Sequence, residues 1–387
     1  MSNDPLTDWL LVEGPRLKSC RELVAGLIER LNAGGMEINR IVLGVGVLHP
    51  ELLALSYTWE RGAKFVARAE IRHGIERTDQ YLDSPFRPIN EGEAFVRRRL
   101  AGPDARVDFP MLEEVRDAGA TDYLAMGLPR SDGNTYRLSY CTDRDTGFSD
   151  AEIERLLALR TALGVVVELQ SRAQMTRSLL ELYLGREAGG QVYAGDIKRG
   201  EGLTIRSVLW MSDLRDFTRL SDRVPLEDLI AVLNDYFEAV TGPIHASGGE
   251  VLKYIGDAVL GIFRIEDPED LSEICQRALD AAHLAAANMR ILNRRRGRDG
   301  KDTLDFGIAL HVGDAMYGNV GAHDRLDFTV IGPAVNLCAR LEALAGGLGK
   351  KIICSEAFAA AAPAEMRSVG RHALKNVDTP VEAFVPG

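Results

Sequence analysis

The chain lacks any long apolar run. No stretch of about 18 consecutive apolar residues occurs in its 387 residues, so the sequence predicts no membrane span. Its first residues, from Met1 to Pro5, are polar and acidic rather than basic and then apolar, so we expect no signal peptide. These absences favour a cytoplasmic location without a membrane partner.

The chain contains few cysteines, and its basic residues are outnumbered by its acidic ones. The five cysteines are odd in number and none stands in a C-x-x-C pair, which predicts reduced thiols rather than a disulfide framework or a zinc site. The formal net charge of −11 disfavours a nucleic-acid partner. A nucleotide is still compatible with this charge, because bound metal can neutralise its phosphates locally.

Length and composition predict a multidomain α/β protein. The chain is 46% apolar and 27% charged, as in ordinary globular proteins, and its length favours two or three domains. Residues 1–148 read as strands mixed with helices, including two strands joined by a turn cluster at 130–134. This pattern predicts a small regulatory domain.

A helical linker is expected over residues 149–200. Ser149 and Glu152 form a capping box, which predicts a helix start. Apolar residues then recur at spacings of three, four and three: Leu156, Leu159, Leu163 and Val166. This short seam favours a linker that dimerises the chain. The alternative is an ordinary amphipathic helix that covers the first domain.

Residues 201–387 have the element order of a ferredoxin-like unit. A strand over 204–211 precedes a helix over 225–240, a hairpin over 248–260 and a helix over 270–290, and further strands are predicted at 305–312, 316–320 and 326–331. We therefore expect an α+β fold with a βαββαβ core.

Two aspartates are expected at one edge of this sheet. Asp213 ends the first strand and Asp257 begins the third, and these strands are antiparallel neighbours in a ferredoxin-like sheet. Two adjacent carboxylates repel each other unless a cation neutralises them. A pair of Mg²⁺ ions completed by phosphate oxygens would do so. The alternative is that each aspartate only caps a turn.

Three motifs resemble the class III nucleotide cyclases. They run from Ser212 to Thr218, from Leu252 to Asp257 and from Asp327 to Arg340, and they agree with that family in content, order and spacing. The resemblance covers residues 203–385. It implies an enzyme that converts a nucleoside triphosphate into a 3′,5′-cyclic monophosphate and pyrophosphate. The first domain resembles GAF domains, without a specific motif.

The resemblance assigns metal and base recognition. Asp213, Asp257 and the backbone carbonyl of Leu214 match the ligands of two Mg²⁺ or Mn²⁺ ions per active site. Lys253 and Thr329 match the residues that read the base, and this pair resembles the bicarbonate-responsive branch of adenylate cyclases. A lysine donates to adenine N1 and a threonine oxygen accepts from the N6 amine, so ATP is the expected substrate.

The resemblance also implies which residues contact the ribose and the phosphates of the substrate. Asn336 and Arg340 match the family's ribose-orienting and transition-state residues, and their spacing places them on one helical face. Phe217 and Thr218 would begin a helix whose amides face phosphate. Lys375 stands two residues from the position where many members carry a triphosphate-binding lysine.

Asp216 departs from the family's pattern, and the resemblance also implies a homodimer. Asp216 stands where the family commonly has glycine, so it would either repel the triphosphate or pair with Arg215 or Arg219. The family's sites are shared between chains, which implies a homodimer. The first domain would regulate turnover, with a small-molecule ligand as a candidate signal. The alternative functions are a guanylate cyclase and a catalytically silent nucleotide-binding regulator.

Overall fold

The chain divides into two compact units. The computed structural model describes residues 4–196, 198 and 202–387, and the units are bounded as Met1–Leu179 and Leu180–Gly387. The predicted boundary between residues 200 and 201 lies outside the described residues. The boundary between the units falls within the segment 149–200 that is predicted as a linker.

The first unit is built on one antiparallel sheet. Its strands follow the order β3-β2-β1-β6-β5-β4. The strands are β1 (Ile38–Gly46), β2 (Leu52–Glu60), β3 (Ala67–Arg72), β4 (Phe95–Arg99), β5 (Asp122–Pro129) and β6 (Thr135–Thr142). The helices are α1 (Pro5–Val12), α2 (Cys20–Ala33), α3 (Asp79–Leu82), α4 (Phe86–Asn90), α5 (Pro110–Asp117) and α6 (Asp150–Ala158), and α7 (Arg160–Leu184) continues from this unit into the second.

The seam predicted for dimerisation belongs to the core of this first unit. The capping box at Ser149 and Glu152 is present and starts α6. Leu156, Leu159 and Leu163 are almost fully buried, and they join a core cluster with α2 and one face of the sheet. The seam is therefore unavailable to a second chain, and its prediction as a dimerising surface was wrong. Burial against the chain's own sheet satisfies the same apolar spacing.

The second unit carries a larger mixed sheet. Its hydrogen-bonded order is β13-β14-β12-β10-β7-β9-β8, with β11 paired to β10. The strands are β7 (Gly202–Leu214), β8 (Glu250–Ile255), β9 (Ala258–Arg264), β10 (Phe306–Gly321), β11 (Leu326–Ile331), β12 (Ile352–Ser355), β13 (Met366–His372) and β14 (Val381–Pro386). The helices are α8 (Arg186–Ala194), α9 (Phe217–Ser221), α10 (Leu226–Ala246), α11 (Leu271–Arg298), α12 (Pro333–Gly347) and α13 (Glu356–Ala361).

The ferredoxin-like prediction is confirmed. The order β10-β7-β9-β8 is that of the four core strands, and β7 and β9 are central antiparallel neighbours. One detail differs. The two strands predicted at 305–312 and 316–320 are a single strand, because β10 pairs continuously with β7 from Phe306 to Gly318.

Apolar side chains fill both faces of this sheet. One face packs on α10, α11 and α13 around Tyr236 and Phe263, and the other packs on α12 and α8 around Leu209 and Cys338. All five cysteines are buried and free, as their spacing predicted. None of the helices in the described residues combines the length and apolar character that a membrane crossing needs.

Candidate active site

A two-residue hairpin brings Asp257 to the end of the sheet. Ile255 and Ala258 are a ladder pair, so Gly256 and Asp257 alone make the turn between β8 and β9. Gly256 has a φ of +65°, which glycine adopts without steric cost at the first position of such a turn. The short turn holds Asp257 where β9 begins.

Asp213 lies beside Asp257, as the strand order predicted. Asp213 is the last residue but one of β7, and Ser212 before it is paired with Val259 of β9. Burial, then the neighbouring Asp257 carboxylate and then Glu342 together raise the pKa of Asp213 to about 7. The Leu214 amide acts in the opposite direction. One buried oxygen of Asp213, Oδ1, has no hydrogen-bond partner.

These features fit a divalent cation. A buried carboxylate oxygen without a partner is costly, and a cation beside two carboxylates removes both the orphaned acceptor and the repulsion. In the described part of the chain, no group of three or more His, Cys, Asp or Glu side chains could hold a metal. Asp213 and Asp257 would therefore bind the metal together with neutral or substrate oxygens, and the Leu214 carbonyl is the nearest along the chain.

Lys253 and Thr329 are brought to one place by an ion pair that the sequence did not predict. The ammonium of Lys253 on β8 pairs with the carboxylate of Asp327 on β11. Thr329 stands two residues beyond Asp327 on the same strand, so both side chains lie on the same face. The intervening Phe328 is buried on the other face.

Asn336 and Arg340 lie one turn apart on α12. The helix buries its other face through Ala334, Cys338 and Leu341, which leaves Asn336 exposed and Arg340 half-buried. Arg340 Nη1 donates to the backbone carbonyl of Asn376 at 3.1 Å. Lys375 is exposed in the same turn, and so the structure brings it next to Arg340.

The loop after Asp213 joins two elements of the site. Asp216 has a φ of +54°, the left-handed region that explains the family's usual glycine at this position. α9 begins at Phe217, whose side chain packs on the core, and Thr218 after it is exposed. Arg215 does not pair with Asp216. Its Nη2 lies 2.9 Å from Oε1 of the buried Glu342 on α12.

Sequence reasoning missed Asp327 and Glu342. The signal for Asp327 was its two-residue spacing from Thr329 in a strand, which predicts a shared face. Glu342 was hidden because a glutamate in a helix is usually exposed, whereas its side chain is only 6% exposed here.

The comparisons with known proteins find similarities to this part of the chain. Residues 206–377 match the family model of the adenylate and guanylate cyclase catalytic domain. An adenylate cyclase from Anabaena cylindrica is 33% identical over 165 residues, which are 42% of this chain and 32% of that protein. Adenylate cyclase 1 from Rhizobium meliloti is 27% identical over 151 residues, which are 38% of this chain and 22% of that protein. The chain thus spans a third or less of these two relatives.

Solved structures include both kinds of cyclase. The adenylyl cyclase CyaB from P. aeruginosa is 26% identical with a TM-score of 0.43, over 48% of this chain and 94% of that one. The guanylyl cyclase Cya2 is 28% identical with a TM-score of 0.43, over 47% of this chain and 92% of that one. On the family match and the motifs that carry the site, residues 206–377 are similar to the adenylate and guanylate cyclase catalytic domains.

Proposed function

We propose that the protein is an adenylate cyclase that converts ATP into 3′,5′-cyclic AMP and pyrophosphate. The observation that carries the proposal is the pairing of Asp213 with Asp257 beside an orphaned carboxylate oxygen. This pair suits the binding of Mg²⁺ or Mn²⁺ with a triphosphate. When bound, two such ions would lower the pKa of the ribose 3′-hydroxyl and offset the charge of the triphosphate.

In the proposed reaction, the ribose O3′ forms a bond to the α-phosphorus. The bond between that phosphorus and the oxygen bridging to the β-phosphate breaks, pyrophosphate leaves, and the 3′-hydroxyl proton is released. Arg340 would donate to the phosphate oxygens as charge builds in the transition state, and Asn336 would hold the ribose. A guanidinium suits this role because its donors form a planar fork.

Adenine selectivity rests on the chemistry of Lys253 and Thr329. An ammonium can only donate, which matches the acceptor at adenine N1 and opposes the N–H at guanine N1. The Thr329 hydroxyl can accept from the adenine N6 amine. The ion pair of Lys253 with Asp327 supports this assignment, because it places the ammonium on the strand that carries Thr329.

A homodimer with shared sites is part of the proposal. The metal aspartates of one chain would face the base-reading and transition-state residues of the other. Apolar side chains exposed on α10 and the hairpin support a second copy of the chain as the partner: Leu226, Ile230, Tyr254 and Ile255. The rings of Phe237 and Tyr254, 4.4 Å apart, join those two elements.

The first unit is proposed as a GAF-like regulatory domain that binds a small molecule. Its six-stranded antiparallel sheet with helices packed on both faces supports this assignment. Regulation would pass through α7, since the chain continues through this helix from one unit into the next. A chain that starts at Leu180 should then respond to no ligand that changes the full-length rate.

One assay tests the proposed activity. Purified protein is incubated with ATP or GTP and with Mg²⁺ or Mn²⁺, and the products are resolved by chromatography. Cyclic AMP as the main product supports the proposal, and cyclic GMP as the main product assigns a guanylate cyclase instead. Nucleotide binding without either product would identify a catalytically silent regulator.

A further inference from the structure

We propose that the C-terminal half of α11 is a peripheral binding surface for an anionic lipid membrane. This surface, the α11 patch, consists of five exposed residues: Leu284, Arg290, Ile291, Arg294 and Arg298. None of them belongs to the candidate active site, so the inference is independent of the proposed activity. The expectation of no membrane partner rested on the absence of a spanning segment, and a peripheral surface needs none.

The C-terminal half of α11 has a charge opposite to that of the whole chain. Residues 281–298 contain five arginines and no aspartate or glutamate, whereas the formal net charge of the chain is −11. At 0.1 M salt the Debye length is about 10 Å, so distant acidic groups are largely screened. The local charge therefore decides what binds here, and it favours an anionic partner.

Two of the five arginines are used within the fold. Arg295 Nη2 lies 2.6 Å from Oδ1 of Asp235 on α10. Arg296 is buried, and its Nε donates to the backbone carbonyl of Asp302 at 2.8 Å. The side chains of the other three make no ion pair or hydrogen bond with any residue that the structure describes: Arg290, Arg294 and Arg298.

The end of the helix does not account for these three arginines. The helix dipole stabilises a cation only within the last turn, and Arg290 and Arg294 precede that turn. The three arginines follow one another at intervals of four residues, so successive guanidinium groups share one helical face and repel each other. Such a row lowers the stability of the helix unless a negatively charged partner lies against it.

Two apolar side chains on the same face favour a lipid surface over other polyanions. Leu284 is 46% exposed and Ile291 is 57% exposed. Leu284, Ile291 and Arg298 are spaced by seven residues, or two helical turns, and so follow one line along the helix. This line is about 21 Å long and can lie flat on a membrane, with guanidinium groups at lipid phosphates and the apolar side chains at the acyl boundary.

The same segment is poorly suited to a nucleic acid. Residues 281–298 contain no Phe, Tyr or Trp, the side chains on which the bases of a single strand stack. Exposed leucine and isoleucine side chains also gain nothing from a phosphate backbone in water. A membrane interface is the anionic partner that satisfies both the charged and the apolar side chains of the α11 patch.

Cosedimentation of the full chain with lipid vesicles tests the proposal without turnover. The protein should bind vesicles of phosphatidylcholine and phosphatidylserine, but not vesicles of phosphatidylcholine alone. About 1 M salt should release it, because the Debye length then falls to about 3 Å. Arg294→Gln combined with Arg298→Gln should lower the partition coefficient about 30-fold, since each arginine near an anionic surface contributes about 1 kcal/mol.

The matched control is Arg367→Gln combined with Arg371→Gln, which removes the same charge from the exposed strand β13. This control should bind vesicles as the unaltered protein does. The α11 double variant should keep the melting temperature of the unaltered protein or exceed it, because its arginines repel each other in the absence of lipid. A loss of vesicle binding is then separate from a loss of folding.

Ile291→Ser distinguishes a membrane from a soluble polyanion. It should weaken vesicle binding about tenfold, because an apolar side chain no longer enters the interface. Unaltered binding by Ile291→Ser overturns the inference, as does an α11 double variant that binds as the unaltered protein or its β13 control does. Absent binding to anionic vesicles, or tighter binding to poly-uridylate or poly-glutamate than to those vesicles, overturns it as well.

Discussion

At the scale of single residues, the main feature of the site is Asp213, whose surroundings disfavour a negative charge on its carboxylate. Asp213 is half-buried, faces Asp257, and keeps one oxygen without a partner. Burial first, and then the Asp257 carboxylate, raise its pKa to about 7. A raised pKa means that the stability contributed by this group is present at low pH and is lost as the pH rises through about 7.

Asp213→Asn should therefore separate catalysis from folding. Activity should fall about 100-fold or more, because a metal ligand is lost. In chelator at pH 8 the variant should be more stable than the unaltered protein by about 2 kcal/mol, since the repulsion between carboxylates is gone. Thermal denaturation from pH 4 to pH 8 measures this, with exposed Asp222→Asn as control. A less stable variant at pH 8 would contradict the physical account.

Asp216 combines a strained backbone conformation with a negative charge, and two variants separate the effects of these two properties. Its φ is +54°, and in the described chain its side chain caps no amide of α9. Asp216→Gly should stabilise the protein by up to about 1 kcal/mol, whereas Asp216→Ala should not, because alanine is strained in this region. Denaturant unfolding compares the two variants.

The same two variants report on substrate repulsion. Both remove the negative charge beside the proposed triphosphate site, so both should lower KM for ATP to a similar extent. If only Asp216→Gly changed KM, the cause would be loop conformation rather than charge.

At the scale of elements, the sequence predicted the four core strands of the second unit's sheet, but it predicted neither the Lys253–Asp327 contact between β8 and β11 nor the helix α8. The positions of Asp213 and Asp257 followed from strand order, because an antiparallel pair of central strands brings their opposite ends together. The Lys253–Asp327 contact did not follow, since it depends on how far β11 folds over a strand that it does not pair with. Long-range curvature of this kind leaves no periodic signal.

α8 was missed for a different reason. Its glycines predict a domain boundary, yet Gly189 lies inside the helix. A Cβ added at Gly189 would come within 2.6 Å of the backbone of Leu180. Close packing, rather than flexibility, requires this glycine. The Glu187 amide donates to Glu250 Oε1 at 3.0 Å, and Arg264 pairs with the Glu187 side chain, so α8 is attached to β8 and β9.

This attachment should depend on pH. Burial, and then the neighbouring Glu187, raise the pKa of Glu250 to about 7, although the Glu187 amide and Arg264 act against them. Its contribution to stability is therefore present below its ordinary pKa and is lost as the pH rises through about 7. Glu250→Gln should flatten the fall of the melting temperature between pH 5 and pH 8.

The control for this prediction is Glu227→Gln, an exposed glutamate on α10. It should leave the pH profile unaltered. A Glu250→Gln profile as steep as that of the unaltered protein would show that another group dominates the transition.

At the scale of the whole molecule, the proposed shared sites can be tested by mixing inactive chains. Asp257→Ala removes a metal ligand and Lys253→Ala removes base recognition. A heterodimer of the two chains has one site with both defects and one intact site. Random pairing makes half of the dimers heterodimers, so the mixture should recover about a quarter of the full rate.

A second mixture provides the control. Lys253→Ala with Arg340→Ala should recover nothing, because both residues would serve the same side of each site and every site would keep one defect. Recovery there, or none in the first mixture despite proven heterodimers, would rule out the proposed division of residues.

The buried ion pair of Arg215 with Glu342 has a consequence for such a dimer. Arg215 follows the end of β7 that carries Asp213, and Glu342 lies on the helix that carries Asn336 and Arg340. In the proposed dimer these two ends of one chain serve different substrate molecules. This ion pair then links the two neighbouring sites within each chain, and a loop displaced by the first nucleotide would shift the helix that receives the second. The enzyme would turn over its two substrates in a correlated manner, with a sigmoidal or half-of-sites dependence on ATP.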